Sequence, residues 1–287
     1  MGTGYLTVKT QLKTKGVVSF TAASAVTLLL VSAVSLLGFL WPFFVTSDSS
    51  APQWIFLACT PIALFLFFAK VSNGDLDAKS VALLALLSAL IAAVRPLGTG
   101  AVGIEPMWFI LILSARVFGP AFGFLLGALS MVLSAFITGG IGPWLAYQSF
   151  AAAWIGLGVA LIPRSLRGRR EIVALIIYGI LAAQFFGIAM DLQFWPWYLG
   201  VDSQLSYIPG GTFAENIDRF FTYHFLSALA WDIPRAIFTS VLLAVAGKPV
   251  LGALRRAHTR ARFVTPIEFR DALTISERAI EPSANQR

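Results

Sequence analysis

The chain has 287 residues, 57% of them hydrophobic and only 12% charged, with a mean hydropathy of +0.79 and a formal net charge of +7. Apolar runs of about 18 residues or more recur along its length, which excludes a soluble domain and leaves an all-α membrane protein of about eight transmembrane helices. The positive charge does not indicate nucleic acid, because Lys and Arg sit in short loops and tails beside the apolar runs, the orientation signal of a bacterial inner or plasma membrane protein.

In chain order, residues 1–16 form a polar tail with Lys9, Lys13 and Lys15. The first span is expected from about Val17 to Leu40, ending near Trp41-Pro42; it is too long for a signal peptide and lacks a clear cleavage site. A polar link over 46–52 contains Asp48, and a second span runs from about Gln53 to Ala69. Lys70, Asp75, Asp77 and Lys79 mark the clearest internal boundary. A third span, about Ser80 to Val94, is closed by Arg95-Pro96, and a glycine-rich loop, LGTGAVGIEP, leads to a fourth from Met107 to Val117.

The fifth and sixth spans form a hairpin within 115–158. Gly119, Gly123 and Gly127 recur every fourth residue, followed by Ser130 and Ser134, so one helix face is bare enough for a neighbour to reach backbone contact. Gly139-Gly140-Ile141-Gly142-Pro143 breaks the helix, and Trp144, Tyr147 and Gln148 open the next one at a polar mouth. RSLRGRR, residues 164–170, holds four arginines. The seventh span is expected from Ile172 to Asp191, followed by an interfacial belt of Phe194, Trp195, Trp197 and Tyr198 and a polar loop to Asp218. The eighth runs from about Phe220 to Ala246, and residues 248–287 are a basic, then mixed-charge tail. The organisation read from this is a cytoplasmic tail (1–16), two additional helices (17–70), a six-helix core (71–250) and a cytoplasmic basic tail (251–287). Eight spans with the basic segments on one side place both termini in the cytoplasm.

Several chemistries are excluded by absence. The sequence has no GxSxG, HExxH, CxxC or DFG-like set, and Gly247-Lys248-Pro249 lacks the rest of a phosphate-binding loop. Cys59 is the single cysteine and lies in an apolar run, so neither a disulfide framework nor a thiolate metal site is expected. The expectation is a protein that is not an enzyme, carries no cofactor or metal and does not hydrolyse ATP itself.

Polar residues near the expected outer surface are the candidates for binding. Arg95, Glu105, Trp108, Trp144 and Gln148, with the 194–218 loop, can converge around an apolar cavity suited to a medium-sized organic ligand. Asp191 stands near the outer end of the seventh span, where a carboxylate calls for a partner or a purpose, and His224 lies at a similar depth in the eighth. Asp232 and Arg235 are three apart and read as a structural ion pair near the cytoplasmic end. Ala82, Ala85, Ala89 and Ala92 give the third span a small-residue face, read either as packing within the bundle or as a docking face for a separate membrane subunit. Arg255, Arg256, Arg260 and Arg262 in ALRRAHTRARF read as an anchor at an anionic membrane surface.

From about residue 78 to 256 the chain resembles the substrate-binding S component of energy-coupling factor (ECF) vitamin transporters. The likeness is carried by the alanine-striped helix with Ala85 and Ala89, by RPLGTG…EPMWF, by ARVFGPAFGFLLGALS, by GGIGPWLAYQ, and by HFLSALAWDIPRAIF…GKPVLGALRR; the last two segments look most like the cobalamin-type branch. The resemblance implies a six-helix bundle that captures a vitamin, cobalamin or a precursor, on its outer side. It also implies a transmembrane coupling protein and two cytoplasmic ATPases as partners, docking through Ala82, Ala85 and Ala89, and toppling in the lipid bilayer to release substrate inward. The first two spans are additions to that pattern. A proton- or sodium-coupled secondary transporter, with Asp191 or Asp232 as coupling carboxylate, is the reading from a different class.

Overall fold

The computed structural model describes residues 22–44, 54–56, 58–60, 62, 65, 78–98, 103–198 and 203–261. The N-tail, the 46–52 link, Lys70, Asp75, Asp77 and the tail beyond residue 261 lie outside the described residues, as does much of the second expected span. Every described element is helical: α1 (Ala22–Leu40), α2 (Ala78–Val94), α3 (Met107–Phe118), α4 (Pro120–Thr138), α5 (Trp144–Gly158), α6 (Gly168–Tyr198), α7 (Phe213–Ser227) and α8 (Leu229–Ala261), with short 3₁₀ turns at Trp41–Phe43, Arg95–Gly98 and Val159–Leu161.

Six helical segments among the described residues are long and apolar enough to cross a membrane: Ala25–Phe43, Ala78–Gly98, Pro120–Thr138, Trp144–Leu161, Gly168–Pro196 and Leu229–Thr259. The protein is therefore a multi-pass membrane protein, and the expectation of eight spans is corrected in two places. The expected fourth span, α3, has 12 residues, about 18 Å at 1.5 Å per residue, short of a bilayer core of about 30 Å. The expected eighth span divides at Ala228 into two helices. Its first part, α7, is amphipathic and starts at a capping box: the Thr212 side chain accepts from Glu215 N at 3.2 Å. The polar loop expected to reach Asp218 thus ends in a helix.

The glycine face holds in part. Gly123 and Gly127 of α4 meet Gly156 and Ala152 of α5; a Cβ on Gly123 would stand 2.6 Å from the Gly156 carbonyl oxygen and 2.5 Å from the Ala115 Cβ, neither of which can swing away. Gly119 is not part of this seam. It has φ 105, no neighbour where a Cβ would sit, and joins α3 to α4, with Pro120 in the first turn of α4. The far end of α4 closes on Gly139 in the left-handed conformation, φ 67, its amide returning to the Ala135 carbonyl. Chain reversal here, with the α4–α5 seam, puts the 139–144 turn at the same end of the bundle as Arg95 and Glu105.

Phe39, at the end of α1, and Phe56 pack on the core through their rings. Phe39 lies edge-on to Tyr147 at 4.9 Å and 5.1 Å from Trp154, and Phe56 stacks on Phe150 at 5.6 Å. The belt expectation is corrected at Trp195. α6 continues through it to Tyr198, and Trp195 is buried with Phe43, Tyr207, Phe220 and Tyr223, donating from Nε1 to the Leu205 carbonyl at 2.7 Å. Phe194 is exposed; the Trp197 and Tyr198 side chains lie outside the described residues.

Candidate functional site

A cavity of about 340 Å³ opens at the end of the bundle where α2, α4 and α6 finish and α3, α5 and α8 begin. One wall comes from the α4–α5 hairpin. Arg95, on the 3₁₀ turn that ends α2, donates from Nη1 to Ser134 Oγ at 3.1 Å and from Nη2 to Gln148 Oε1 at 2.9 Å. Thr138, Gly140 and Trp144 continue this wall, and Trp144 Nε1 donates to the Gly140 carbonyl at 3.2 Å, folding the indole back over the turn.

The other wall comes from Glu105, α3 and Phe186 of α6, and α8 backs it from behind. Glu105 precedes α3 and accepts a hydrogen bond from Trp108 Nε1 one turn later. It also accepts from Arg235 Nε at 3.1 Å and, longer, from Arg235 Nη2 at 3.4 Å, across 130 residues of sequence. Arg235 Nη1 donates to Asp232 Oδ1 at 2.5 Å, and its guanidinium lies 5.0 Å from the Phe186 ring centre, a cation–π contact. Phe186 packs against Trp108 at 4.5 Å, so ring and indole form one aromatic surface on the cavity. Two glycines make this wall possible. Gly103, with φ 71, lies against the backbone of Trp231 and the Arg235 amide, and Gly187 leaves the space that the Asp232 carboxylate occupies.

Arg95, Glu105, Trp108, Trp144 and Gln148 are thus brought to one cavity. Asp191 and His224 are placed elsewhere: they face each other, His224 Nδ1 to Asp191 Oδ2 at 2.8 Å, tying α6 to α7 beside Phe220. The Asp232–Arg235 pair exists, but its expected location at the end opposite Arg95 and Glu105 is corrected. Because α8 begins at Leu229, both residues stand in its first two turns, at the cavity end, and Arg235 reaches Glu105. Sequence reasoning missed Ser134 and Phe186 on the cavity and Arg235 as the residue that holds Glu105 from behind. The i, i+3 spacing of Asp232 and Arg235 was visible, but the 130-residue reach to Glu105 has no local signal.

At the opposite end, Glu171, in the first turn of α6, is 1% exposed. It accepts from Arg116 Nε at 2.8 Å and Arg255 Nη2 at 2.6 Å, while Arg116 also donates to the Ile162 and Pro163 carbonyls at 2.9 and 3.0 Å. On α2, Ala82, Ala85 and Ala89 are exposed, while Leu84, Leu87, Ser88, Ile91 and Ala92 face the bundle. The alanine face therefore looks outward except at Ala92. Among the described residues, no group of three His, Cys, Asp or Glu is placed to hold a metal ion, and Cys59 is a free, exposed thiol.

No curated protein and no solved structure matches the chain. A family model described as the S component of the ECF-type riboflavin transporter matches residues 75–256, from just before α2 to the last turns of α8. The chain belongs to the ECF-type riboflavin transporter S-component family.

Proposed function

We propose that the protein is the substrate-capture subunit of an ECF-type importer, that it binds riboflavin or a vitamin of similar size, and that it carries out no chemistry of its own. The observation that carries the choice of ligand is the cavity: about 340 Å³, at the lower end of the 300–1,000 Å³ typical of small-molecule sites. An aromatic surface of Trp108 and Phe186 suits a flat heterocycle, and Arg95, Gln148 and Glu105 supply polar groups that fix its orientation. Cobalamin, suggested by the likeness of the closing segments to that branch, is a much bulkier ligand and asks for a wider cavity than this one.

In this reading the cavity end faces outward and both termini lie in the cytoplasm. Lys79, Arg116, the 164–170 arginines and Arg255 then share the inner side, as the positive-inside rule requires. The transmembrane coupling protein docks on the outward-looking face of Ala82, Ala85 and Ala89, whose small side chains permit close helix approach, and two ATPases drive release. Asp191 and Asp232 have partners in His224 and Arg235, which favours structural roles over ion coupling.

Titration of the purified protein with riboflavin, followed by quenching of flavin fluorescence, tests the reading; cobalamin is titrated in parallel by visible absorbance. Saturable one-to-one riboflavin binding without nucleotide is expected. Cobalamin binding in place of riboflavin would reverse the choice of ligand.

A further inference from the structure

Two charged residues line the cavity, and they are held in different ways; the selectivity they confer presupposes the capture site proposed above. Glu105 is fixed to the α3–α8 wall by charge: Arg235 donates to both of its oxygens and Trp108 to one. Its side chain is still 23% exposed, so lone pairs remain open to the cavity. Arg95 is fixed to the α4–α5 wall by neutral partners alone, Ser134 and Gln148. Among the described residues no carboxylate forms an ion pair with it.

A guanidinium has five N–H donors, and the two bonds to Ser134 and Gln148 leave Arg95 with three. A half-buried cation in this condition has given up part of its hydration without recovering it from the protein. A purely structural arginine is finished differently, and Arg116 is the example: all its bonds go to Glu171 and to backbone carbonyls.

We infer that the cavity selects a ligand whose polar edge turns paired acceptor oxygens to Arg95 and N–H or O–H donors to Glu105, with Arg95 as the residue that determines specificity. The planar fork of arginine reads two adjacent acceptors at once, whereas a lysine ammonium acts as a point charge. Heterocycles with carbonyls beside a ring N–H satisfy both walls, as do hydroxylated carboxylates. Organic cations without paired acceptors satisfy neither Arg95 nor its charge.

The test uses the full chain in detergent with three probes: riboflavin, pantothenate and thiamin. Arg95→Lys is expected to weaken whichever of the first two the wild type binds by about tenfold, and Arg95→Gln by about a hundredfold, in line with about 1.4 kcal/mol per factor of ten. Thiamin is expected not to bind the wild type. A second readout needs no vitamin: tryptophan quenching by iodide against caesium. Trp108 and Trp144 sit at the cavity, so the excess of iodide over caesium quenching should be smaller in Arg95→Gln than in the wild type. If riboflavin fails to bind while the iodide excess follows Arg95, the ligand proposed above is wrong and the charge assignment stands. Thiamin binding to the wild type, affinity within about threefold in Arg95→Gln, or an iodide excess that ignores the substitution overturns the inference.

Discussion

Both ends of the bundle carry a buried arginine–carboxylate cluster, and the two are finished differently. At the Glu171 end the carboxylate is 1% exposed, two arginines reach it within 2.8 Å, and Arg116 also ties down the carbonyls of the 162–166 turn. At the cavity end Arg235 is divided between Asp232 and Glu105, Glu105 remains partly exposed, and Arg95 has neutral partners only. The same chemistry serves as a staple where the carboxylate is buried and Arg116 is bonded to it and to three carbonyls, and as a recognition surface where Arg95 has two neutral partners and Glu105 stays partly exposed. Completeness of the hydrogen bonding, more than the presence of charge, separates the two.

The largest expected effect comes from the scaffold both clusters depend on. Gly127→Leu drives a side chain into the Ala152 backbone, where no rotamer can relieve it. Size-exclusion chromatography should show no monodisperse folded protein, while Gly119→Ala, with open space at its Cβ position, should still yield it at reduced stability because of the positive φ. Next, Glu171→Ala leaves the buried Arg116 without its carboxylate, an expected loss of about 3–5 kcal/mol. Thermal unfolding should report it, and vitamin affinity of the folded fraction should stay unchanged, since the cavity is at the other end. Ala85→Trp with Ala89→Trp should abolish uptake in cells and spare binding in detergent, because the α2 face is exposed and away from the cavity. The smallest effect belongs to Asp191→Asn: riboflavin affinity should change by less than about threefold. Its cost should appear instead in stability, about 1–3 kcal/mol for the buried His224 left with a weakened partner. A large loss of affinity would return Asp191 to the site.

Much of this was legible in the sequence, and what was not has identifiable causes. Composition determined the membrane class, and four-residue spacing exposed the Gly123–Gly127 seam, because both signals are local. The same spacing misled at Gly119, since a glycine that lets helices touch and one that turns the chain are written with one letter. The Ala228 division was hidden by an unbroken apolar run, although the TFAE capping box at 212–215 announced a new helix start. Trp195 looked interfacial because its neighbours are aromatic, and its burial against Phe43 and Tyr207 depends on segments distant in the chain. Five residues of the proposed site converge because each lies next to a helix end at one side of the bundle, a pattern that alternation of spans makes visible. Asp191 and His224 share that side and satisfy each other instead, and pairing across 33 residues cannot be read from spacing.

Hydrogen–deuterium exchange with and without saturating riboflavin most directly tests the claim that the Arg95–Glu105 cavity captures the vitamin. Slower exchange is predicted in peptides covering 95–108 and 134–148, with no change across 164–171. Riboflavin bound at saturation without protection in those two segments, or with protection confined to another part of the bundle, would contradict the account.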